Sequence, residues 1–206
     1  MEKTVQDFFA VINERTSIRN YDPTIEIEKS ELTNILDDAT KAPSAWNLQH
    51  WNFMVFHSDE AKKNLLPIAF NQEQIVDSSA VIAILGDLEA NKNIDSVYTP
   101  LVKAGYVEKE IIDNLSKQIN GAYLREQYPR DAAMSNASLA AMQLMLSAKA
   151  RGWDTCAIGG FDPEKLMSEF NISDRFVPVM LISVGKALKP SHQSTRLEVE
   201  KVTTWK

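Results

Sequence analysis

The sequence contains few of the residues that support disulfide or metal chemistry. Cys156 is the only cysteine among 206 residues, which excludes an intramolecular disulfide. The three histidines, His50, His57 and His192, do not have the spacing of metal ligands. We therefore expect no bound metal. A lone free cysteine usually behaves as a small hydrophobic residue, so we expect Cys156 to be buried.

Features of nucleic-acid-binding and membrane proteins are also missing. The net charge is −6, the pI is about 5.2, and the longest basic run is only Lys62 and Lys63, so no clustered basic face is predicted. The longest apolar run, residues 80–85, is too short to span a bilayer. The first residues show no apolar stretch of the signal-peptide kind. These absences predict no nucleic-acid partner, no membrane contact and a cytoplasmic location.

Several local motifs of phosphate-binding and hydrolytic enzymes are absent as well. The sequence has no G-x-x-x-x-G-K-[ST] loop, no G-x-G-x-x-G after a strand and no G-x-S-x-G elbow. Asp37 and Asp38 are adjacent on a predicted helix and point apart, which favours a solvated face over an acid–base pair. An enzyme with this sequence would therefore depend on a cofactor for its reactive group.

The hydrophobic pattern predicts one layered domain. Hydrophobic residues make up 44% of the chain, enough for a substantial core. Helical periodicity, with a start at Thr4, predicts helices at about residues 4–15, 28–41, 58–66, 108–127 and 131–151, and a short one from residue 162. Runs of strand-forming residues predict strands at residues 51–56, 80–85, 153–158 and 176–184. Residues 87–100 show no clear period, and the whole indicates an α+β or α/β domain.

Residues 15–19 form the first segment whose side chains are suited to binding a ligand. Arg15 and Arg19 are four residues apart, with Thr16 and Ser17 between them. Guanidinium groups bind phosphate in bidentate fashion and hydroxyls fill its remaining acceptor positions, so the four can converge on one dianionic phosphate. A solvated surface arginine pair beside a turn is the alternative, and for this segment alone the more frequent one.

Two further segments combine polar groups with flat rings or with glycine. Residues 42–51 place Pro, Ser, Asn, Gln and two Trp between a helix and a strand, which suits a planar heteroaromatic ligand or, equally, a structural turn plugged by tryptophan. Residues 157–162 contain Gly159 and Gly160 after a predicted strand. Paired glycines let backbone N–H groups approach a ligand closely, although a tight strand–helix turn is their commoner role.

In this order the segments resemble the nitroreductase family. The family patterns are R-x-S-x-R near the N-terminus, P-S-x-x-N-x-Q-P-W in a loop, a late G-G-F or E-G-F turn, and an arginine in a polar tail. The matching residues are Arg15, Ser17 and Arg19, then Pro43, Ser44, Asn47, Gln49 and Trp51, then Gly159, Gly160 and Phe161, and finally Arg196. The resemblance runs from residue 9 to residue 196.

The resemblance implies an α+β three-layer fold with a central, mostly antiparallel sheet flanked by helices. It implies one FMN-binding domain over residues 1–206, with a helical excursion at about residues 88–130. It also implies a domain-swapped homodimer with two FMN sites at the interface. The polar tail at about residues 189–206 would dock on the partner subunit.

Site roles follow from the same resemblance. Arg15, Ser17 and Arg196 would hold the FMN phosphate, and Arg19 would lie near flavin N1 and the C2 carbonyl, where a cation raises the reduction potential. The amides of Gly159 and Gly160 would face flavin N5 and O4. The cofactor-binding residues implied in this way are Arg15, Thr16, Ser17, Arg19, Pro43, Ser44, Ala45, Asn47, Gln49, Asn71, Gln74, Ile158, Gly159, Gly160 and Arg196.

Some positions depart from the family pattern. His50 replaces the usual Pro before Trp51, which we expect to loosen the loop, and Ala45 replaces a frequent Ser. Gln74 stands where some relatives have Lys, so a lower flavin potential is expected. By resemblance, Pro43, Ser44 and Asn47 of this loop would contact the FMN of the other subunit.

The implied activity is hydride transfer from NADH or NADPH through flavin N5 to nitroaromatic, quinone or similar acceptors by a ping-pong mechanism. No catalytic side chain is needed, because the protein contributes by positioning the reactants and by electrostatic stabilisation. Alternatives on the same fold are a flavin or enone reductase or dehydrogenase, and a poorly catalytic FMN-binding or storage protein. Trp46, Tyr123 and Tyr128 are candidates for the pocket wall, with ordinary packing at least equally favoured.

Overall fold

Four runs rich in β-branched and aromatic residues form the strands of a single sheet. The structure is a computed structural model that describes residues 7–206. The strands are β1 (Trp51–Phe56), β2 (Ala80–Asp87), β3 (Asp154–Ile158) and β4 (Phe176–Gly185). Their order is β1-β2-β4-β3, and each neighbouring pair is antiparallel. The predicted α+β class with an antiparallel sheet is confirmed.

Helices cover both faces of this sheet. The α-helices are α1 (Phe8–Glu14), α2 (Lys29–Thr40), α3 (Asp59–Leu65), α4 (Gln74–Asp77), α5 (Ile94–Lys103), α6 (Lys109–Tyr123), α7 (Tyr128–Ala150) and α8 (Pro163–Glu169). Short 3₁₀ helices occur at Ala45–Asn47, Ala90–Asn93 and Val199–Lys201. The predicted start of the first helix at Thr4 lies outside the described residues.

The central strand β2 explains the three layers. All eight of its residues are buried, and successive side chains point to opposite faces. Ile82 and Ile84 share one core with Leu144 of α7. Val81 and Leu85 lie in the opposite core, which also contains residues of α3, α4 and α8. A strand buried on both faces reads as a continuous apolar run, which is the pattern that predicted it.

Two helices were not predicted, α4 and α5. The apolar residues Ile94, Val97, Tyr98 and Leu101 do have helical spacing. Pro100 lies inside α5, and proline disfavours helix in the residue before it, which cut the pattern short at Pro100. Residues 87–100, for which no clear period was expected, therefore contain the first part of helix α5.

Helix α7 lies unusually close to the sheet. Its buried face is mostly alanine, and such short side chains let the helix backbone come close to the sheet. A Cβ added to Gly86 of β2 would lie only 3.0 Å from the backbone of Ala133. The small side chains on both elements are what allow this approach, and they place α7 beneath the loop that precedes β1.

Membrane-spanning helices and clusters of metal ligands are both absent from residues 7–206. None of the helices in that range is both long and apolar enough to cross a membrane. The same residues contain no group of three or more His, Cys, Asp or Glu side chains arranged to hold a metal ion.

Candidate functional site

The segment at residues 15–19 is anchored to the open edge of the sheet. Helix α1 ends before Arg15, whose backbone is extended. Ser17 then forms a parallel bridge with Thr155 of β3, and the Ile18 N–H donates to the Thr155 carbonyl at 3.0 Å. Because β3 is an edge strand, its outer side is free to accept this segment. The two arginines are thus held on a rigid element.

Arg15 and Arg196 meet in one cavity despite their distance in the sequence. We call it the arginine cavity; its volume is about 740 Å³, and it is lined by Arg15, Thr16, Arg196, residues 191–195 and parts of α1 and α7. Nη1 of Arg196 donates to Ser194 Oγ at 3.1 Å and to the Thr195 carbonyl at 2.9 Å. Two guanidinium groups and several hydroxyls therefore surround one space.

Ser17 and Arg19 lie beside this cavity without lining it. Both face Cys156, which is buried as expected. Burial raises the pKa of the Cys156 thiol, while the Arg19 charge and a hydrogen bond with Ser17 act in the opposite direction. Of the four polar residues of the segment, Arg15 and Thr16 therefore line the cavity and Ser17 and Arg19 do not.

The glycine turn, Gly159 and Gly160, links β3 to α8. Both glycines are exposed, and the Phe161 N–H donates to the Gly159 carbonyl at 3.2 Å. Nε2 of Gln72 donates to the Gly160 carbonyl at 2.7 Å. Within residues 7–206, neither the Gly159 nor the Gly160 N–H donates a hydrogen bond. The turn therefore presents two unpaired backbone donors next to Ile158.

The turn before α4 lies against the glycine turn. Phe70 and Asn71 both have a left-handed backbone with φ near 55°, and the Phe70 ring is 63% exposed. A Cβ on Gly160 would lie 4.0 Å from Phe70 Cδ2. Asn71 is exposed and lies between Phe70 and Gln72, the two residues of this turn that approach Gly160. Gln74, in contrast, is buried and lies behind Gln72.

The loop at residues 43–49, which we call the aromatic loop, has a strained backbone. Trp46, Asn47 and Gln49 have φ values of 51°, 52° and 53°, a region that bulky residues rarely adopt. Ser44 Oγ accepts from the Gln49 N–H at 2.9 Å, and Gln49 Nε2 donates to the Asn47 carbonyl at 3.0 Å. These contacts hold the loop in one shape.

Three side chains from distant elements clamp the aromatic loop. Asn136 Oδ1 of α7 accepts from the Ala45 N–H at 2.8 Å. Tyr98 Oη of α5 donates to the Trp46 carbonyl at 2.6 Å, and Asn93 Nδ2 donates to the Leu48 carbonyl at 2.9 Å. We did not predict Asn93, Tyr98, Asn136 or Gln72 from sequence. None lies in a recognisable motif, so no local signal identified them.

Rings of α6 and α7 pack near this loop. The centroid of Tyr128 lies 6.0 Å from that of Trp46 and 5.4 Å from that of Tyr123. The three aromatic candidates for a pocket wall therefore form one cluster.

Within one chain the aromatic loop does not reach the arginine cavity. Asn47 and Gln49 line a separate cleft of about 320 Å³, together with Asn93, Ser96 and Val97. The first and second sequence segments are thus apart in a single chain. The third segment is joined to the first through β3.

His50 is fully buried at the start of β1. Within residues 7–206 neither ring nitrogen has a hydrogen-bond partner. The His50 carbonyl accepts from the Asp87 N–H at 3.1 Å. Burial lowers the pKa of the imidazole, and the Asp87 charge opposes that effect. The ring is a neutral filler of the core.

Comparison with known proteins gives a consistent result. The protein-family model described as "Nitroreductase family" matches residues 12–186 of the chain. A Bacillus subtilis (strain 168) protein named "Putative NAD(P)H nitroreductase YodC" is 63% identical over 195 residues, 95% of this chain and 96% of that protein. The "CLA biosynthesis enone reductase" of Lactiplantibacillus plantarum is 33% identical over 206 residues, 96% of this chain and 93% of that protein.

A solved structure is similar over the full length. It is described as a "putative nitroreductase in complex with FMN" from Exiguobacterium sibiricum 255-15. The TM-score is 0.92 and the identity 40%, with 100% of both chains covered.

Proposed function

The chain belongs to the nitroreductase family, and from that membership we propose that it is an FMN-dependent oxidoreductase using NADH or NADPH. The proposed acceptors are nitroaromatics, quinones or similar compounds. The observation that carries the proposal is the arginine cavity, which joins Arg15 and Arg196 in one space in a chain similar along its whole length to an FMN-bound structure.

The arginine cavity suits the phosphate of FMN. A dianion needs several donors, and guanidinium groups provide them in a planar fork. Arg15, Thr16 and Arg196 supply two cations and a hydroxyl within one space. We assign these three to the phosphate, with Ser17 beside them.

The glycine turn suits the edge of a flavin ring. Its two unpaired N–H groups, next to Ile158, are donors that a ring nitrogen or carbonyl can accept. Asn71 lies close by, and Arg19 emerges from the same sheet edge. We assign Arg19 to the N1 and C2 carbonyl side, where its charge would favour reduced flavin. Bound FMN supplies the chemistry, hydride transfer at N5, while these residues hold and orient the ring.

We also propose a homodimer whose FMN sites lie at the subunit interface. Phe9 on α1 is 70% exposed, Leu139 on α7 is 48% exposed, and Trp205 in the tail is 90% exposed. An apolar groove of about 630 Å³ runs between α1 and α7 and includes Pro43. Exposed apolar side chains beside an apolar groove support an interaction site at this face. Pro43, Ser44, Ala45, Asn47 and Gln49 would then reach the partner's flavin.

In this proposal the chain is one FMN-binding domain with two attachments. The excursion at about residues 88–130 contributes α5 and α6 and holds the aromatic loop through Asn93 and Tyr98. The tail at about residues 189–206 docks on the partner, which would cover Leu197 and Val202, both more than 60% exposed.

The test begins with the visible spectrum of the purified protein. We expect a flavin spectrum that persists through gel filtration or appears when FMN is added. Anaerobic addition of NADH and of NADPH should then bleach it, and initial rates at varied acceptor should give the parallel double-reciprocal lines of a ping-pong mechanism. A protein that takes up no FMN contradicts the proposal. Bound FMN that neither nicotinamide bleaches favours a storage protein instead.

An enone acceptor is the second candidate. The 33% identity to an enone reductase over nearly the whole chain favours it. Both activities use the same flavin site, so a panel of nitroaromatics, quinones and α,β-unsaturated ketones separates them. The acceptor class with the highest kcat/KM identifies the activity.

A further inference from the structure

We propose that Gln72 is the positioning residue of the glycine turn and that Gln74 acts on the flavin only through Gln72. This inference rests on the proposed FMN function. It concerns Gln72, in the turn before α4, and Gln74, the first residue of α4, which was assigned above to direct cofactor contact by resemblance alone.

The two glutamines form a chain of side-chain amides that ends at the glycine turn. Gln74 Nε2 donates to Gln72 Oε1 at 3.2 Å. Gln72 Nε2 donates to the Ala69 carbonyl at 2.9 Å and to the Gly160 carbonyl at 2.7 Å. Gln72 thus connects two turns that lie 88 residues apart in sequence.

This connection sets the direction of the backbone donors. The Gly160 carbonyl and the Phe161 N–H belong to one planar peptide group. The carbonyl is held by Gln72, and the N–H is held by the Gly159 carbonyl at 3.2 Å. The Gly159 carbonyl in turn shares its peptide with the Gly160 N–H. Holding the first peptide therefore orients the second, and with it the unpaired donor.

The turn needs such a support because its residues are glycines. Glycine has more backbone freedom than any other residue, so an unsupported Gly-Gly pair samples many orientations. A side chain at Gly160 would also meet Gln72 Nε2 at 3.5 Å. That distance is an ordinary van der Waals contact, so the two turns lie against each other and the amide of Gln72 is within reach of the carbonyl.

Gln74 lies too deep for direct contact. It is 6% exposed, whereas the glycine turn and Asn71 are exposed. Its Nε2 is directed at Gln72, and successive amides in a hydrogen-bonded chain polarise one another. Any influence of Gln74 on the flavin edge is therefore transmitted by Gln72.

The first test measures flavin binding by apoprotein, through quenching of flavin fluorescence. Gln72→Leu removes the donor at similar volume, and we expect the Kd to rise about threefold to tenfold, the effect of one neutral hydrogen bond. The rise should be equal for FMN and riboflavin, because the turn faces the ring and not the phosphate. Gln118→Leu, the same change on the exposed face of α6, is the matched control and should leave both Kd values unchanged.

The second test is a double-mutant comparison. Gln74→Leu should weaken flavin binding less than Gln72→Leu does, and the double variant should be no weaker than Gln72→Leu alone. An additional loss in the double variant means that Gln74 contacts the flavin by its own path, which overturns that half of the proposal.

The third test is the reduction potential of bound FMN. Donors to O4 stabilise the negative charge of reduced flavin, so Gln72→Leu should lower the midpoint potential. Gln72→Asn should do the same, since its shorter amide cannot reach both carbonyls. A merely structural residue would change the unfolding midpoint of the apoprotein and leave the potential unchanged.

The outcomes distinguish a failure of the proposed FMN function from a failure of the role inferred for Gln72. If the unmodified protein binds neither FMN nor riboflavin, the proposed function fails. If it binds both and the Gln72 variants retain the original Kd values and potential, only the inference fails. A loss confined to FMN would place the effect at the phosphate and also overturn it.

Discussion

At the residue scale, Arg15 and Arg196 carry the charge of the proposed phosphate site. Arg15 is fixed by the bridge of its segment to β3, while Arg196 is held by Ser194 and the Thr195 carbonyl in the tail. Each arginine on its own is an ordinary surface cation. Their shared cavity is what makes them a candidate anion site.

Replacing Arg15 tests this pairing. Arg15→Ala removes a charge-assisted contact, so we expect FMN binding to weaken by about 1.5–3 kcal/mol. Riboflavin, which lacks the phosphate, should bind as before. Titration of apoprotein with both ligands measures the difference. Lys63→Ala, which removes an exposed charge on α3, serves as control; equal losses for FMN and riboflavin would place the phosphate elsewhere.

The burial of His50 makes the stability of the folded protein depend on pH. Its folded-state pKa is lowered because the buried ring disfavours the imidazolium form, against the opposing charge of Asp87. In the unfolded chain the ring titrates near pH 6.5. Below that pH the unfolded state takes up the proton first. The stability contributed by the neutral ring is therefore complete above about pH 6.5 and is lost as the pH falls toward the folded-state pKa.

His50→Leu should flatten this dependence. The variant lacks the titrating ring, so its free energy of unfolding should fall less than that of the parent between about pH 7.5 and pH 5. It should also gain about 1 kcal/mol at pH 7.5, since two unpaired ring nitrogens are removed from the core. Urea unfolding at several pH values measures both effects. His192→Leu, the same change at an exposed position in the tail, is the control variant.

At the element scale, the contact between β2 and α7 organises the molecule. Asn136 of α7 accepts a hydrogen bond from Ala45 of the aromatic loop. The distance between α7 and the sheet therefore also sets the position of that loop. This distance depends on the contact between Gly86 and Ala133, which leaves no room for a methyl group at Gly86.

Gly86→Ala should push these elements apart. We expect a loss of about 1–3 kcal/mol in the free energy of unfolding, the usual cost of overpacking. Gly121→Ala in α6 is the matched control: apart from its chain neighbours and the backbone of its own helix, no atom lies within 4 Å of the added Cβ, so a gain of about 0.4–1 kcal/mol is expected. Denaturant unfolding of both variants provides the measurement, and a neutral Gly86→Ala would mean that α7 is free to shift.

At the scale of the whole molecule, one chain leaves its functional parts separated. The aromatic loop and the arginine cavity do not meet within a chain, and the apolar faces of α1, α7 and the tail are exposed. A second copy that covers these faces would bring the loop of one subunit to the cavity of the other. The proposed dimer therefore follows from the same observations as the proposed FMN site.

Leu139→Glu tests the dimer. A carboxylate in the groove between α1 and α7 cannot be buried against a partner without a large penalty. Sedimentation velocity should show one chain of 23.2 kDa in place of two, and FMN affinity should fall about tenfold or more because the partner's loop is lost. Ile111→Glu, at an exposed apolar position on α6, should remain dimeric. A dimeric Leu139→Glu protein with normal FMN affinity contradicts the proposed interface.

The sequence by itself determined the class of the domain, most of its helices and strands, and its family. These depend on local information, namely hydrophobic period, helix and strand composition, and short motifs in a fixed order. The segment at residues 15–19 and the glycine turn were singled out in this way, whereas their connection through β3 came from the structure.

Only the tertiary structure decided which residues support those segments. Gln72 reaches Gly160, and Asn136 reaches Ala45, across 88 and 91 residues of sequence. A hydrogen bond of that kind leaves no local period or motif, since it depends on where the packed core places two backbones. The same reason explains why the neutral, buried state of His50 was not predicted: burial is a property of the whole fold.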